Sequence, residues 1–272
     1  MKKRLGFLVM LVCVLAFGLV FVGCKDGGGG GLSIKSIALD AINFDTNSYY
    51  GIDGEIPPSP TDYDEAEEAF GPIYFILAAK VEYLSGLIEA YMTTHQAYIQ
   101  AQLMNGKNPF TETLKIEEII TAPTNTGLKN VTGTLRIVSS LNTKTLEYSG
   151  GMTTTMSFEY DSAFDASSTY IYKLYVKSNV NSVTTVTGNS ITGSNTEVEN
   201  ATTSYVLAYA GIDYCGLVAL NFKYKTTETE NPDDFNINSA SGNLIFYGLD
   251  NKQSFKHTLT PAEAETMVPT AP

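Results

Sequence analysis

The chain has 272 residues, 43% hydrophobic and 17% charged, a balance that suits a folded body better than a disordered chain. Its 29 acids outnumber its 17 bases, giving a formal net charge of -12. Such a surface repels phosphate backbones, which argues against nucleic acid as a partner.

The charge is unevenly spread. Lys2, Lys3 and Arg4 hold three of the 17 bases and no acid precedes Asp26, so residues 24–272 carry 14 bases against all 29 acids, net -15. Leu5 to Gly23 runs 19 residues without a charge. A basic start and an apolar stretch form the pattern of an export signal, although this stretch is also just long enough to span a bilayer. Phe21-Val22-Gly23-Cys24 decides the reading. A small residue at 23 admits a peptidase, and the thiol of Cys24 can accept a diacylglyceryl group. This segment resembles the lipobox of bacterial lipoproteins, in the relaxed form found in spirochaetes. Val22 stands where Ala or Ser is usual, and Phe21 where Leu is usual. The resemblance implies a signal peptide over 1–23, lipidation at Cys24 and a place in the cell envelope at the outer membrane, with the leaflet left open. An uncleaved membrane helix is the competing reading.

Residues 24–32 read as the lipidated cysteine and a tether, since the run Gly27 to Gly31 is too costly in entropy to order. More than one acyl chain makes such an anchor stable. Cys13 lies in the signal and Cys24 at the anchor, so Cys215 has no internal disulfide partner and reads as a buried, inert thiol.

The remaining residues, 33–272, read as one α+β domain, helical over 61–105 and β-rich over 113–260. Ser33 to Asp45 suggests a strand, and the Gly and Pro of Tyr49 to Pro60 a loop. Ser59-Pro60-Thr61-Asp62 has the order of a helix start, and acids at 62, 64, 65, 67 and 68 suit the positive end of that helix better than a metal. Phe70, Ile73, Leu77, Val81, Leu84, Ile88, Tyr91, His95 and Tyr98 keep a helical step. One straight helix over 61–105 would be about 68 Å long, against about 45 Å for a compact domain of this size. Gly71-Pro72 is therefore the expected break, leaving a short helix over 61–69 and a long one over 72–105, with a possible bend at Ser85-Gly86.

Beyond Pro109 the period falls to two. Met152, Thr154, Met156, Phe158 and Tyr160 oppose Thr153, Thr155, Ser157 and Glu159, as in a half-buried antiparallel strand. Val131, Leu135 and Ile137 form one such face, and Val218, Leu220, Phe222 and Tyr224 another. Turn signals at 141–143, Ser149-Gly150-Gly151, Gly188-Asn189, 193–195 and 249–251 divide roughly nine to eleven strands. The expected architecture is one long helix packed on a curved antiparallel β-meander, with a closed barrel as its competitor. Thr260-Pro261-Ala262-Glu263 reads as a capping box for a last helical turn.

Chemistry is sparse. His95 lies on the apolar stripe and His257 alternates with Phe255 and Leu259, so both read as hydrogen-bonded core histidines. No third ligand at zinc spacing and no Gly-x-Ser-x-Gly elbow accompany them. Asp234, Asn236 and Asn238 alternate like a calcium loop, but Ser239 and Ile245 occupy its Gly and Glu positions. Glu228, Glu230 and Asp233 add charge there. The 17 tyrosines include Tyr170, Tyr172, Tyr175, Tyr205, Tyr209 and Tyr214, which suit strands or a binding face. No catalytic residue, metal or cofactor is expected. The leading reading is a lipid-anchored envelope protein with a binding or structural role, partnered by the membrane through Cys24 and by an envelope or surface protein. A carrier of an apolar ligand between helix and sheet, and an enzyme with an unfamiliar site, are the alternatives.

Overall fold

The computed structural model describes residue 32 and residues 56–121, 126–162, 171–211, 213–229, 231 and 234–268. The signal over 1–23, Cys24, the glycine run, the strand expected over Ser33 to Asp45, Tyr170, Glu230 and Asp233 lie outside these residues. The elements run α1 (Tyr63–Met104), β1 (Phe110–Lys115), α2 (Ile116–Ile119), β2 (Leu128–Leu141), β3 (Glu147–Ser162), β4 (Ile171–Asn189), β5 (Ser194–Gly211), β6 (Cys215–Thr229), β7 (Asn236–Tyr247), β8 (Gln253–Thr258) and α3 (Pro261–Thr266). Among the described residues, eight strands form one antiparallel meander in sequence order, with β1 and β8 at its edges. The α+β meander is as expected. The count of eight strands is lower than nine to eleven, and the sheet does not close through a β1–β8 pair.

One supposed turn proves to be strand, and the strand expected over Ser33 to Asp45 falls outside the described residues. Gly150 and Gly151 lie inside β3, paired with Val186 and Thr185 of β4. Gly188 closes β4 opposite Tyr148, and a Cβ there would meet the Tyr148 hydroxyl. Glycine at 188 admits a ring laid over the last residues of β4, and the chain turns directly after Asn189, where the Gly188-Asn189 signal points. The hairpins at 142–146, 190–193 and 230–235 mark what we call the upper end of the sheet. The connections at 212–214 and 248–252 mark its lower end.

The expected break at Gly71-Pro72 is also corrected, because α1 is a single helix of 42 residues with Pro72 inside it. Asp62 caps it by accepting a hydrogen bond from Glu65 N at 3.1 Å, and the acids 64 and 65 fill its first turn. At about 63 Å the helix is longer than a compact sphere allows. The strands remove that limit, since the 19 residues of β4 also reach about 63 Å. Tyr63 meets His257 of β8, with ring centroids 4.8 Å apart. Lys80 Nζ lies 4.8 Å from the ring centroid of Tyr160 on β3, and Tyr98 meets Phe110 of β1 at 6.1 Å. α1 thus crosses the sheet diagonally, from β8 to the upper end of β1.

The helix holds its line across proline because both flanks are anchored. Ala66, Ala69, Phe70, Ile73, Leu77, Leu84, Ile88, Met92 and Ile99 are buried, in one cluster with Leu174, Val176, Leu207, Val218 and Phe246 of the sheet. A lost hydrogen bond and ring clash cost about 3 kcal/mol, and glycine about 1 kcal/mol more. Burying Phe70, Ile73 and Leu77 at about 1.5–3 kcal/mol each exceeds that. No helix among the described residues is long and apolar enough to cross a membrane.

Pro72 is only partly covered and Gly71 faces open space, so neither is needed for packing. Pro72→Ala restores a main-chain donor and should raise stability by up to about 3 kcal/mol in urea denaturation. No gain would mean that the helix is broken at that point.

Candidate functional site

The residues singled out from sequence fall in separate places. His95 Nε2 lies 2.7 Å from Glu112 Oε2 on β1, with its ring stacked on Tyr91 and tilted against Tyr98. His257 Nε2 lies 2.9 Å from Glu263 Oε2. The same carboxylate accepts from Tyr63 Oη at 2.8 Å and from the main-chain N–H of Thr260 at 2.6 Å. These bonds, the Thr260 one foremost, hold Glu263 down to about pKa 2, and its carboxylate in turn raises the Tyr63 phenol to about 12. That arrangement completes the expected capping box of α3. His95 lies on α1 and His257 meets α1 at Tyr63, positions about 48 Å apart along the helix. They form no joint site.

Cys215 is buried, and its Sγ donates to Pro57 O at 2.8 Å. Burial raises the thiol to about 12, so it is no nucleophile at neutral pH. Beside it the Ser59 hydroxyl lies 3.0 Å from Cys215 O and 2.9 Å from Tyr247 O, pinning the approach to α1 onto the sheet. In the calcium-like stretch, Asp234 accepts from Thr229 Oγ1 at 3.0 Å and Asn238 from Thr227 Oγ1 at 2.7 Å, which closes the β6–β7 hairpin. Tyr205 and Tyr209 are core residues, and Tyr175 lies on the outer face with Val206 and Ala208. Among these residues the strands assemble no exposed tyrosine platform. Tyr172 lies in β4, with its side chain outside the described residues.

The most distinctive chemistry is one that no sequence motif announces. On β5 the inward positions rise from Tyr209, Leu207, Tyr205, Thr203 and Ala201 to Glu199, Glu197 and Asn195, all buried. Register places Thr184 of β4 and Thr226 of β6 directly beside Glu199, and Val186 and Glu228 beside Glu197. One row lower, Ser182 and Tyr224 flank Ala201. Both glutamates are 6% exposed, Ser182 is 0% and Thr184 is 1%. Thr226 Oγ1 donates to Glu199 Oε2 at 3.4 Å, and Tyr148 Oη to Asn195 Oδ1 at 3.3 Å. Ser182 Oγ and Thr184 Oγ1 have no hydrogen-bond partner among the described residues. Leaving a buried hydroxyl unpaired costs about 1–3 kcal/mol, so an apolar core would not choose these residues.

Burial, and then the neighbouring Glu228, raises Glu197 to about 8. Burial raises Glu199 to about 9, with Glu197 adding to it and the nearby hydroxyls of Tyr224 and Thr226 opposing it. No base enters either balance. The lysines of β6, Lys223 and Lys225, point to the exposed opposite face. The strand alternation carries the signal: two steps of two beyond Ala201 reach Glu199 and Glu197 on the apolar face with no turn between. Among the described residues no group of three His, Cys, Asp or Glu side chains is placed to hold a metal ion.

These acids have a consequence for stability. Between the ordinary carboxylate range and about pH 8 to 9 the folded chain keeps protons that the unfolded chain has released. Stability therefore falls as pH rises through that window. The depressed Glu263, at about 2, acts well below it. Urea denaturation at pH 5, 7 and 9 should show that decline, and Glu199→Gln should remove roughly half of it. A flat wild-type profile, or equal slopes in both proteins, would contradict these protonation states.

No protein-family model matches this chain, and neither does any curated protein or solved structure.

Proposed function

We propose that the chain is a lipid-anchored cell-envelope protein, held at the outer membrane through Cys24, whose body binds a partner or ligand and performs no catalysis. The binding half of this reading rests on one observation. Ser182 and Thr184 keep unpaired, fully buried hydroxyls beside the buried acids of β5. Groups so placed stabilise the fold only when something else completes their hydrogen bonds. The anchoring half rests on the resemblance of Phe21-Val22-Gly23-Cys24 to a lipobox and on the glycine run behind it.

Leu32 supports a particular orientation. It packs on an outer-face patch of Val206, Ala208, Ala210, Leu217 and Ala219, on the opposite side of the sheet from α1. Seven residues lie between Cys24 and Leu32, so the two are at most about 29 Å of chain apart. A lipid at Cys24 would then sit on the outer side of the sheet, and the polar inner face would turn away from the membrane. The two alternatives gain nothing comparable. Ile73, Leu77, Leu84 and Ile88 are fully covered against the sheet, as in a filled interface, and the two histidines are each tied to their own glutamate.

The anchor is tested in cells. The native chain should carry a diacylglyceryl mass and partition with membranes, while Cys24→Ala or globomycin treatment should abolish the lipid mass and the partitioning together. Unchanged mass and partitioning in Cys24→Ala would overturn the anchoring half.

A further inference from the structure

We propose that the outer face of the sheet is a membrane-docking surface, on which Arg136, Lys223, Lys225 and Lys256 meet the anionic phospholipid headgroups of the bilayer that holds Cys24. This inference rests on the anchoring half of the proposed function and adds the surface that meets the membrane. Charge is separated across the sheet. The inner side carries α1, with Asp64, Glu67, Glu68 and Glu82 exposed and Lys80 its one lysine or arginine. On the outer side stand Arg136, between the inward Leu135 and Ile137, and Lys223 and Lys225, to either side of the inward Tyr224. Lys256 pairs with the outward Ile245. These four bases are exposed and form no ion pair among the described residues. The acids that the described strands place on this face are Glu147, Glu159 and Asp161. Lys177 lies 3.6 Å from Glu159, Lys129 lies 2.7 Å from Asp161, and Glu147 accepts from Thr145 at the upper end. A chain with 29 acids and 17 bases thus turns a basic face outward.

The neutral residues between these bases suit the same partner. Register lines up Ser157, Asn179, Ser204, Asn221, Asn243 and Thr258 in one row across β3 to β8. Ser157 Oγ donates to Asn179 Oδ1 at 2.7 Å, Ser204 Oγ to Asn221 Oδ1 at 2.8 Å and Thr258 Oγ1 to Asn243 Oδ1 at 3.0 Å. With each amide oxygen occupied, the amide N–H groups are left to donate, and phosphate oxygens accept such bonds. The tether reaches this side as well, because Leu32 packs on the outer patch of Val206, Ala208 and Leu217. The exposed acids of α1 do not cancel the attraction. A helix about 10 Å thick and the sheet itself stand between them and a headgroup on the outer face. That exceeds the Debye length of about 8 Å at physiological salt.

Each base near an anionic surface strengthens binding by about fivefold. To test the docking, the native lipidated chain is added to vesicles of phosphatidylcholine alone, or of phosphatidylcholine and phosphatidylglycerol in equal parts. Its lysines are then labelled with an amine-reactive ester and read by mass spectrometry. The chain should partition into both vesicles through its lipid. Lys223, Lys225 and Lys256 should label about fivefold or more slowly on the anionic vesicles, while Lys80 labels equally on both. Salt at about 1 M should erase the difference. Lys223→Gln combined with Lys225→Gln should keep the partitioning and weaken docking roughly twentyfold, returning Lys256 to its rate on neutral vesicles. Partitioning with equal labelling on both vesicles would overturn the docking face and leave the anchor standing. Failure to partition into either would overturn both. Protection by alginate, an acidic polysaccharide, with none from the anionic vesicles would overturn the membrane as the partner. Protection of Lys256 that persists in the double variant would overturn the role of Lys223 and Lys225.

Discussion

The structure depends on a match of lengths. A helix of about 63 Å needs a partner surface of the same length, and strands of up to 19 residues supply one. Because the helix crosses the strands on a diagonal, its apolar stripe serves the lower sheet and the upper end of β1. Leu174, Val176, Leu207, Val218 and Phe246 of the lower sheet all join its core cluster. Higher on the same strands, the inward positions of β4 and β5 change to Ser182, Thr184, Glu197 and Glu199. One face of one sheet thus carries two chemistries, divided along the length of its strands.

The polar part is costly where it stands. Burial makes the Glu197 and Glu199 carboxyls hold their protons, and beside them the hydroxyls of Ser182 and Thr184 have no partner among the described residues. Ser178 Oγ and Ser254 Oγ are buried in the same unpartnered state, whereas the titratable side chains elsewhere are arranged differently. His95 has Glu112, and His257 has Glu263, which in turn engages Tyr63 and Thr260. Cys215 has the Pro57 carbonyl. Those pairings fasten helix to strand and helix to loop, and each is complete within the chain. What singles out the upper inner face is that its unpartnered hydroxyls stand beside two buried acids.

Much of this is legible from residues alone. The alternation of Met152 to Tyr160, the stripe of α1 and the capping box at Thr260 each depend on neighbours close in sequence, and each is found in place. Sequence misleads where distant contacts overrule local preference. Gly150-Gly151 looks like a turn, yet long-range pairing carries β3 straight through it. Gly71-Pro72 looks like a break, yet buried neighbours on both sides hold one axis. Glu197 and Glu199 escape notice because charged residues in a Thr-rich strand suggest a solvated face. Their burial comes from the register with β4 and β6, which no single segment reveals.

The upper inner face owes its character to two acids that remain protonated in the folded chain at neutral pH. A carbon-13 NMR titration of the glutamate side-chain carboxyls, assigned through Glu197→Gln and Glu199→Gln, observes them one at a time. It should show both titrating above pH 7, near 8 and 9, while Glu263 titrates near 2 in the same sample. Midpoints for Glu197 and Glu199 in the ordinary range near 4.5 would mean that solvent or a base reaches them, and would contradict a closed, acid-only site.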